Sequence, residues 1–133
     1  MAEKLKILIA EDEEVARQML QIAFRDGEQF ETRLTSDGEQ ALAAFKEWQP
    51  DIVLLDIMMP HMNGFTALKA IRQTLKDTTT TVIMVSSVTD KQDIVACVKL
   101  GIQGYILKPF QVKTLAATVV GYHQKHKKVT KVS

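Results

Sequence analysis

At 133 residues, the chain has room for one domain with a core of its own and not for two ordinary ones. A hydrophobic share of 46% and a charged share of 25% exclude a disordered or collagen-like chain, and no apolar run approaches the roughly 18 residues of a membrane span. The apolar stretch before Glu11 is too brief for a secretory signal, and the single cysteine, Cys97, has no partner for an internal disulfide and reads as a packed core thiol, so a cytoplasmic protein without membrane attachment is expected.

The first predicted element is a short buried strand, Lys6 to Ala10. The acidic cluster Glu11, Asp12, Glu13 and Glu14 opens the helix that follows, where the helix dipole favours negative charge. Ala16, Met19, Leu20, Ala23 and Phe24 recur there at helical spacing until Gly27 ends the helix. Phe30 to Thr35 reads as an edge strand because polar residues interrupt it. Ser36 and Glu39 match a capping box, and the helix they start turns Leu42 and Phe45 inward and stops before Pro50.

Next comes the stretch around which the chain is organised, Asp51 to Pro60. Ile52 to Leu55 is an unbroken apolar run suited to a strand buried on both faces of a parallel sheet. Asp56 interrupts it at the carboxyl end, where open α/β sheets bind ligands. Asn63 is placed to cap a helix with Phe65, Leu68, Ile71 and Leu75 in its stripe, and strand Val82 to Val85 ends on Ser86 and Ser87. Asp90 caps a helix with Ile94, Cys97, Val98 and Leu100 inward, with Gly101 as its left-handed stop. Gly104 to Leu107 is the fifth strand, broken by Lys108 and Pro109, and Val112, Leu115, Ala116, Val119 and Tyr122 form the stripe of a last helix.

The domain spans residues 1–122, and residues 123–133 read as a basic tail holding Lys125, Lys127, Lys128 and Lys131 with no acid. Without those four, thirteen basic residues face sixteen acidic ones, so nothing marks the fold itself as a nucleic-acid binder. The plain reading of the tail is a solvated, frayed end, with a weak electrostatic arm as the alternative.

Five strands alternating with five helices, with no internal repeat, give a doubly wound α/β domain with right-handed crossovers. The five-strand count favours a parallel sheet of order 2-1-3-4-5. In that order Glu11 and Asp12, Asp56, Ser86 and Lys108 follow consecutive neighbouring strands and converge at one sheet edge. Three close carboxylates repel at roughly 1 to 4 kcal/mol per pair and need a cation. Oxygen-only ligands with few protein donors suit Mg²⁺, and a lysine and a hydroxyl opposite supply what a transferred phosphoryl group requires. Singly, these residues are turn formers, capping acids and loop residues. Only their convergence points to a site.

These motifs, Ile-Ala-Glu-Asp-Glu ending at Glu13, Asp51 to Pro60 with Asn63-Gly64, Val85-Ser86-Ser87 and Gly104 to Phe110, carry a family resemblance. The chain resembles the flavodoxin-like (CheY-like) receiver domain of two-component response regulators over about residues 4 to 122. The resemblance implies that Asp56 accepts a phosphoryl group from a histidine kinase or a phosphotransfer protein. It implies Mg²⁺ held by Asp12, Asp56 and the Met58 backbone carbonyl, with Glu11 acting through a metal-bound water. Lys108 would pair with the phosphoryl oxygens, Ser86 would hydrogen-bond one of them, and Tyr105 would change rotamer with the state. A cis Lys108–Pro109 bond is also implied. Glu11 and Ser86 stand where many members have aspartate and threonine.

The expected function is a stand-alone phosphorylation-controlled switch, a monomer or weak dimer that catalyses only its own phosphorylation and dephosphorylation. Its target would dock on the face made by residues 90–122. A relay intermediate handing the phosphoryl group to a phosphotransfer protein is the near alternative. A flavin carrier is disfavoured because Glu11 to Glu14 would repel the flavin phosphate. A Mg²⁺-dependent aspartate-nucleophile phosphatase of the haloacid dehalogenase type is disfavoured because Met58 stands where its second acid would be.

Overall fold

The computed structural model describes residues 3–132, with side chains described as far as Lys128. Strands β1 (Leu5–Ala10), β2 (Phe30–Thr35), β3 (Ile52–Leu55), β4 (Thr81–Ser86) and β5 (Gly104–Leu107) form one parallel sheet in the order β2-β1-β3-β4-β5. Helices α1 (Glu14–Ala23), α2 (Gly38–Trp48), α3 (Gly64–Lys69), α4 (Lys91–Leu100) and α5 (Val112–Val132) connect and follow the strands, and α3 continues into a π-helical segment, Ala70–Thr74. The expected doubly wound five-stranded sheet is the fold observed.

The strands are apolar on both faces because both are covered. Leu8, Ala10, Val53, Leu55, Val82 and Met84 point to the side of α2, α3 and α4, while Ile7, Ile9, Ile52, Leu54, Ile83 and Val85 point to the side of α1 and α5. This two-sided burial explains why β1, β3 and β4 read as continuous runs rather than alternating ones. No helix among the described residues is long and apolar enough to cross a membrane. Cys97 is buried and free, as expected for a core thiol.

Several local expectations are corrected. The N-cap of α2 is Asp37, whose carboxylate accepts from the Gln40 N–H at 2.8 Å, while the Gln40 amide oxygen accepts from the Ser36 N–H at 3.0 Å. Ser36/Glu39 and Asp37/Gln40 both match the capping pattern, and a carboxylate caps as well as a hydroxyl. Helix α1 ends at Ala23, capped by the Phe24 N–H on Leu20, so Gly27 lies in the turn beyond rather than at the stop. Val98 of α4 is 59% exposed, and Leu75, which follows the π-helical segment as its cap rather than lying on a helix face, is also exposed. Gly101 does end α4 with a positive φ (108°), but its ψ of 91° lies outside the left-handed helical conformation expected of it.

The last helix runs on through the segment read as a basic tail, to Val132, with His123 buried against Thr81. A frayed end therefore does not begin at residue 123. The side chain of Lys131 and residue 133 lie outside the described residues.

Candidate functional site

The sheet register carries the candidate residues to their places. Backbone hydrogen bonds continue the ladder one residue past the strands: Glu11 N–H donates to Thr35, Asp56 N–H to Ala10 and Lys108 N–H to Ser86, at 3.0, 3.1 and 3.0 Å. Glu11, Asp56 and Lys108 thus stand on the rung after β1, β3 and β5, at the carboxyl edge of the sheet. Gly64 keeps the β3–α3 loop closed over this edge. A Cβ there would overlap the Asp56 carbonyl, so the residue after the α3 N-cap must lack a side chain, while its N–H donates to Ile57 at 3.0 Å.

Lys108 is the hinge of the electrostatics. Its Nζ lies 2.7 Å from Asp56 Oδ2 and 2.5 Å from Glu11 Oε1, so one ammonium spans two buried carboxylates. The second oxygen of each acid is taken by backbone: Glu11 Oε2 accepts from the Glu13 N–H at 3.1 Å and Asp56 Oδ1 from the Met58 N–H at 3.2 Å. Burial pushes the Glu11 carboxyl above its usual range, against the hydrogen bonds from Lys108 and the Glu13 N–H, and the nearby Asp56 charge pushes the same way as burial. Burial works against the Lys108 ammonium, but its hydrogen bonds to Asp56 and Glu11 outweigh it and hold the pKa above the ordinary value.

Glu11, Asp12 and Asp56 each offer a carboxylate oxygen, all within 4.8 Å of one another. Glu11 and Asp56 are buried and Asp12 is exposed, so the cluster opens to solvent on one side. Three carboxylates against one ammonium leave an excess of negative charge in a partly dry place. Hard oxygen donors in that arrangement could hold a metal ion.

The three acids and Lys108 line a cleft of about 580 Å³, walled by Ala16 and Met19 of α1, by Pro109 and Phe110, and by Ser87, with Val15 and Met58 exposed at its rim. Ser86 is placed differently. It is fully buried, its hydroxyl accepting from the Val88 N–H at 3.3 Å, and Ser87 rather than Ser86 lines the cleft. Tyr105 on β5 donates its hydroxyl to the Val88 carbonyl at 2.6 Å, so both residues meet the same point of the β4–α4 loop. The Lys108–Pro109 bond is cis, as expected.

Arg17 was not foreseen. Its guanidinium donates to the backbone carbonyls of Glu11 (2.9 Å) and Asp12 (3.2 Å), clasping the loop that presents both acids. Only its place one turn into α1 hinted at this, since an arginine there can fold back over the preceding loop.

The family model of the response regulator receiver domain matches residues 7–120. The chain belongs to this family. It is the receiver domain of a two-component response regulator, a phosphoacceptor switch by class. This receiver domain is 40% identical over 114 residues to the DNA-binding response regulator MtrA of Mycobacterium tuberculosis, covering 86% of this chain and 48% of MtrA. It is 38% identical over 120 residues to the transcriptional regulatory protein CseB of Streptomyces avermitilis, covering 90% of this chain and 49% of CseB. The chain thus spans about half the length of these relatives. The chemotaxis response regulator CheY4 of Vibrio cholerae superimposes with a TM-score of 0.81 at 28% identity, covering 90% of this chain and 99% of that one.

Proposed function

We propose that this receiver domain takes a phosphoryl group on Asp56 from a phosphohistidine of a sensor kinase or phosphotransfer protein, in the cytoplasm, and uses it to change a protein-binding face. The observation that carries the reading is the Lys108 ammonium held between Asp56 and Glu11. An aspartate set in a cleft beside a cation that can be re-aimed is suited to receive a phosphoryl group, because such transfer is mostly positioning and charge neutralisation.

In the step itself, an Asp56 carboxylate oxygen forms a bond to phosphorus as the bond from phosphorus to the donor imidazole nitrogen breaks, and the electron pair returns to that nitrogen. The Met58 N–H orients the carboxylate through Oδ1. Lys108 is already within reach of Asp56 and can transfer a donor from the carboxylate to a phosphoryl oxygen. The donor set of Glu11, Asp12 and Asp56 fits Mg²⁺, with the Met58 carbonyl as a further oxygen, and a bound ion would neutralise the charge that gathers on the phosphoryl oxygens. In this reading the domain acts on its own aspartate.

Ser86 and Tyr105 are the relay in this reading. The Ser86 hydroxyl can leave the Val88 N–H for a phosphoryl oxygen, and the loop that moves with it carries the carbonyl to which Tyr105 is bonded. The face of α4, β5 and α5 then presents different side chains in the two states, as any shift of equilibrium by a partner requires.

The test is intact mass spectrometry after acetyl phosphate and Mg²⁺. Wild type should gain one phosphoryl group, and Asp56→Asn should gain none, because an amide is a poor nucleophile. An equal gain in the mutant would remove Asp56 from the role.

A further inference from the structure

A second concavity lies at the opposite end of the sheet. It is a groove of about 870 Å³ between Leu5, the first residue of β1, and the carboxyl half of α5, lined by Val120, Gly121 and His123 and edged by Lys125, Lys127 and Lys128. The length of β1 separates it from Glu11, roughly 20 Å along the strand. The groove therefore shares no residue with the acidic cleft. Three lysines line it and no carboxylate does. All of α5, residues 112–132, carries no aspartate or glutamate. The helix dipole favours lysines in a last turn, but Lys125 lies about two turns before the end of α5, so the dipole does not account for the whole set.

We propose that this groove is a docking site for an acidic polypeptide segment that also carries an aliphatic side chain. The lysines meet the segment's carboxylates, and Leu5 and Val120 receive the aliphatic group on the groove floor. A nucleic-acid backbone would meet the lysines but has nothing to set on that floor. A membrane surface would need a wide apolar face on the helix, and the inward face of α5, at Leu115, Val119 and His123, is spent in the core. The site is separate from Asp56, so occupancy should not depend on the phosphoryl group.

The probe is a fluorescein-labelled peptide of alternating Glu-Glu-Leu units, titrated by anisotropy against the full chain. Saturable binding is expected that weakens about tenfold in Lys125→Glu/Lys127→Glu/Lys128→Glu, the product of three exposed pairs of modest strength. The affinity should be the same with and without acetyl phosphate, which separates failure here from failure of the Asp56 reading. Amide chemical shifts of the wild type give a readout free of mutation: Leu5, Val120 and Gly121 should move, and Met58 and Lys108 should not. Absence of saturable binding, equal affinity in the charge-reversed variant, equal binding of a Glu-Glu-Ser peptide, or shifts centred on Lys108 would each overturn the proposal. Tighter binding of duplex DNA or phosphatidylserine vesicles through the same lysines would overturn it in favour of that partner.

Discussion

Lys108, half-buried, and Arg72, buried, are cations at opposite ends of one sheet, and they are held by different kinds of group. Lys108, at the carboxyl end, rests between two carboxylates, both able to give up the contact to another cation or to a phosphoryl group. Arg72, in the π-helical segment, is bonded mainly to fixed carbonyls. Its Nε donates to Gly101 at 2.9 Å, its Nη1 to the Asp77 backbone at 3.0 Å, and its Nη2 to Thr80 at 2.9 Å and to the Gln103 amide oxygen at 3.0 Å. Burial lowers the Arg72 pKa and the Asp77 carboxylate opposes it, but a guanidinium keeps its charge in either case. A planar fork satisfied by backbone locks the α4–β5 loop and the start of β4 together. A point charge on a flexible stem, facing groups that can themselves change partners, is free to be re-aimed.

This difference predicts how each end fails. Arg72→Met should cost the most stability, about 3 kcal/mol by urea denaturation, since it leaves several buried acceptors without a donor. The folded fraction should still be phosphorylated by acetyl phosphate, and a folded variant that had lost phosphorylation would break the distinction. Lys108→Met should cost less, about 1 kcal/mol, because the cleft is open enough for water or a cation to reach the two acids it leaves behind. Its Mg²⁺ affinity by calorimetry should rise, as the ammonium no longer competes for Glu11 and Asp56. An unchanged or weaker affinity would mean that Lys108 does not contest the metal site.

The smallest effect is expected at His123. Its Nδ1 lies 2.7 Å from the Thr81 hydroxyl, and burial, with Lys127 and His126, holds its pKa below 6.5 against the pull of Asp51. The unfolded chain then binds the proton more readily than the folded one. The stabilising contribution is complete above pH 6.5 and is lost as pH falls through the lowered folded value. Urea midpoints of wild type should therefore drop on acidification slightly more than those of His123→Gln. Parallel pH profiles would show that His123 does not titrate on folding.

Much of this protein was legible before any coordinates. The run Ile52 to Leu55 suited a strand covered on both faces, and the count of alternating elements favoured the order that brings Glu11, Asp56 and Lys108 to neighbouring strand ends. Both inferences rest on periods of two to four residues and on topological rules, which a linear pattern records. The cap of α2 was not legible, because Ser36/Glu39 and Asp37/Gln40 satisfy the same pattern one residue apart and only the path of the chain out of β2 chooses between them. Nor were the partners of Arg72, which reach as far as Gln103, or the bond from His123 to Thr81, 42 positions away. Ser86 was placed correctly at its strand end, yet whether its hydroxyl faces the cleft or the Val88 N–H is a matter of rotamer and loop path. Pairings of that kind depend on sheet register, helix rotation and which side chain reaches a buried group first, and those are set only when distant segments pack.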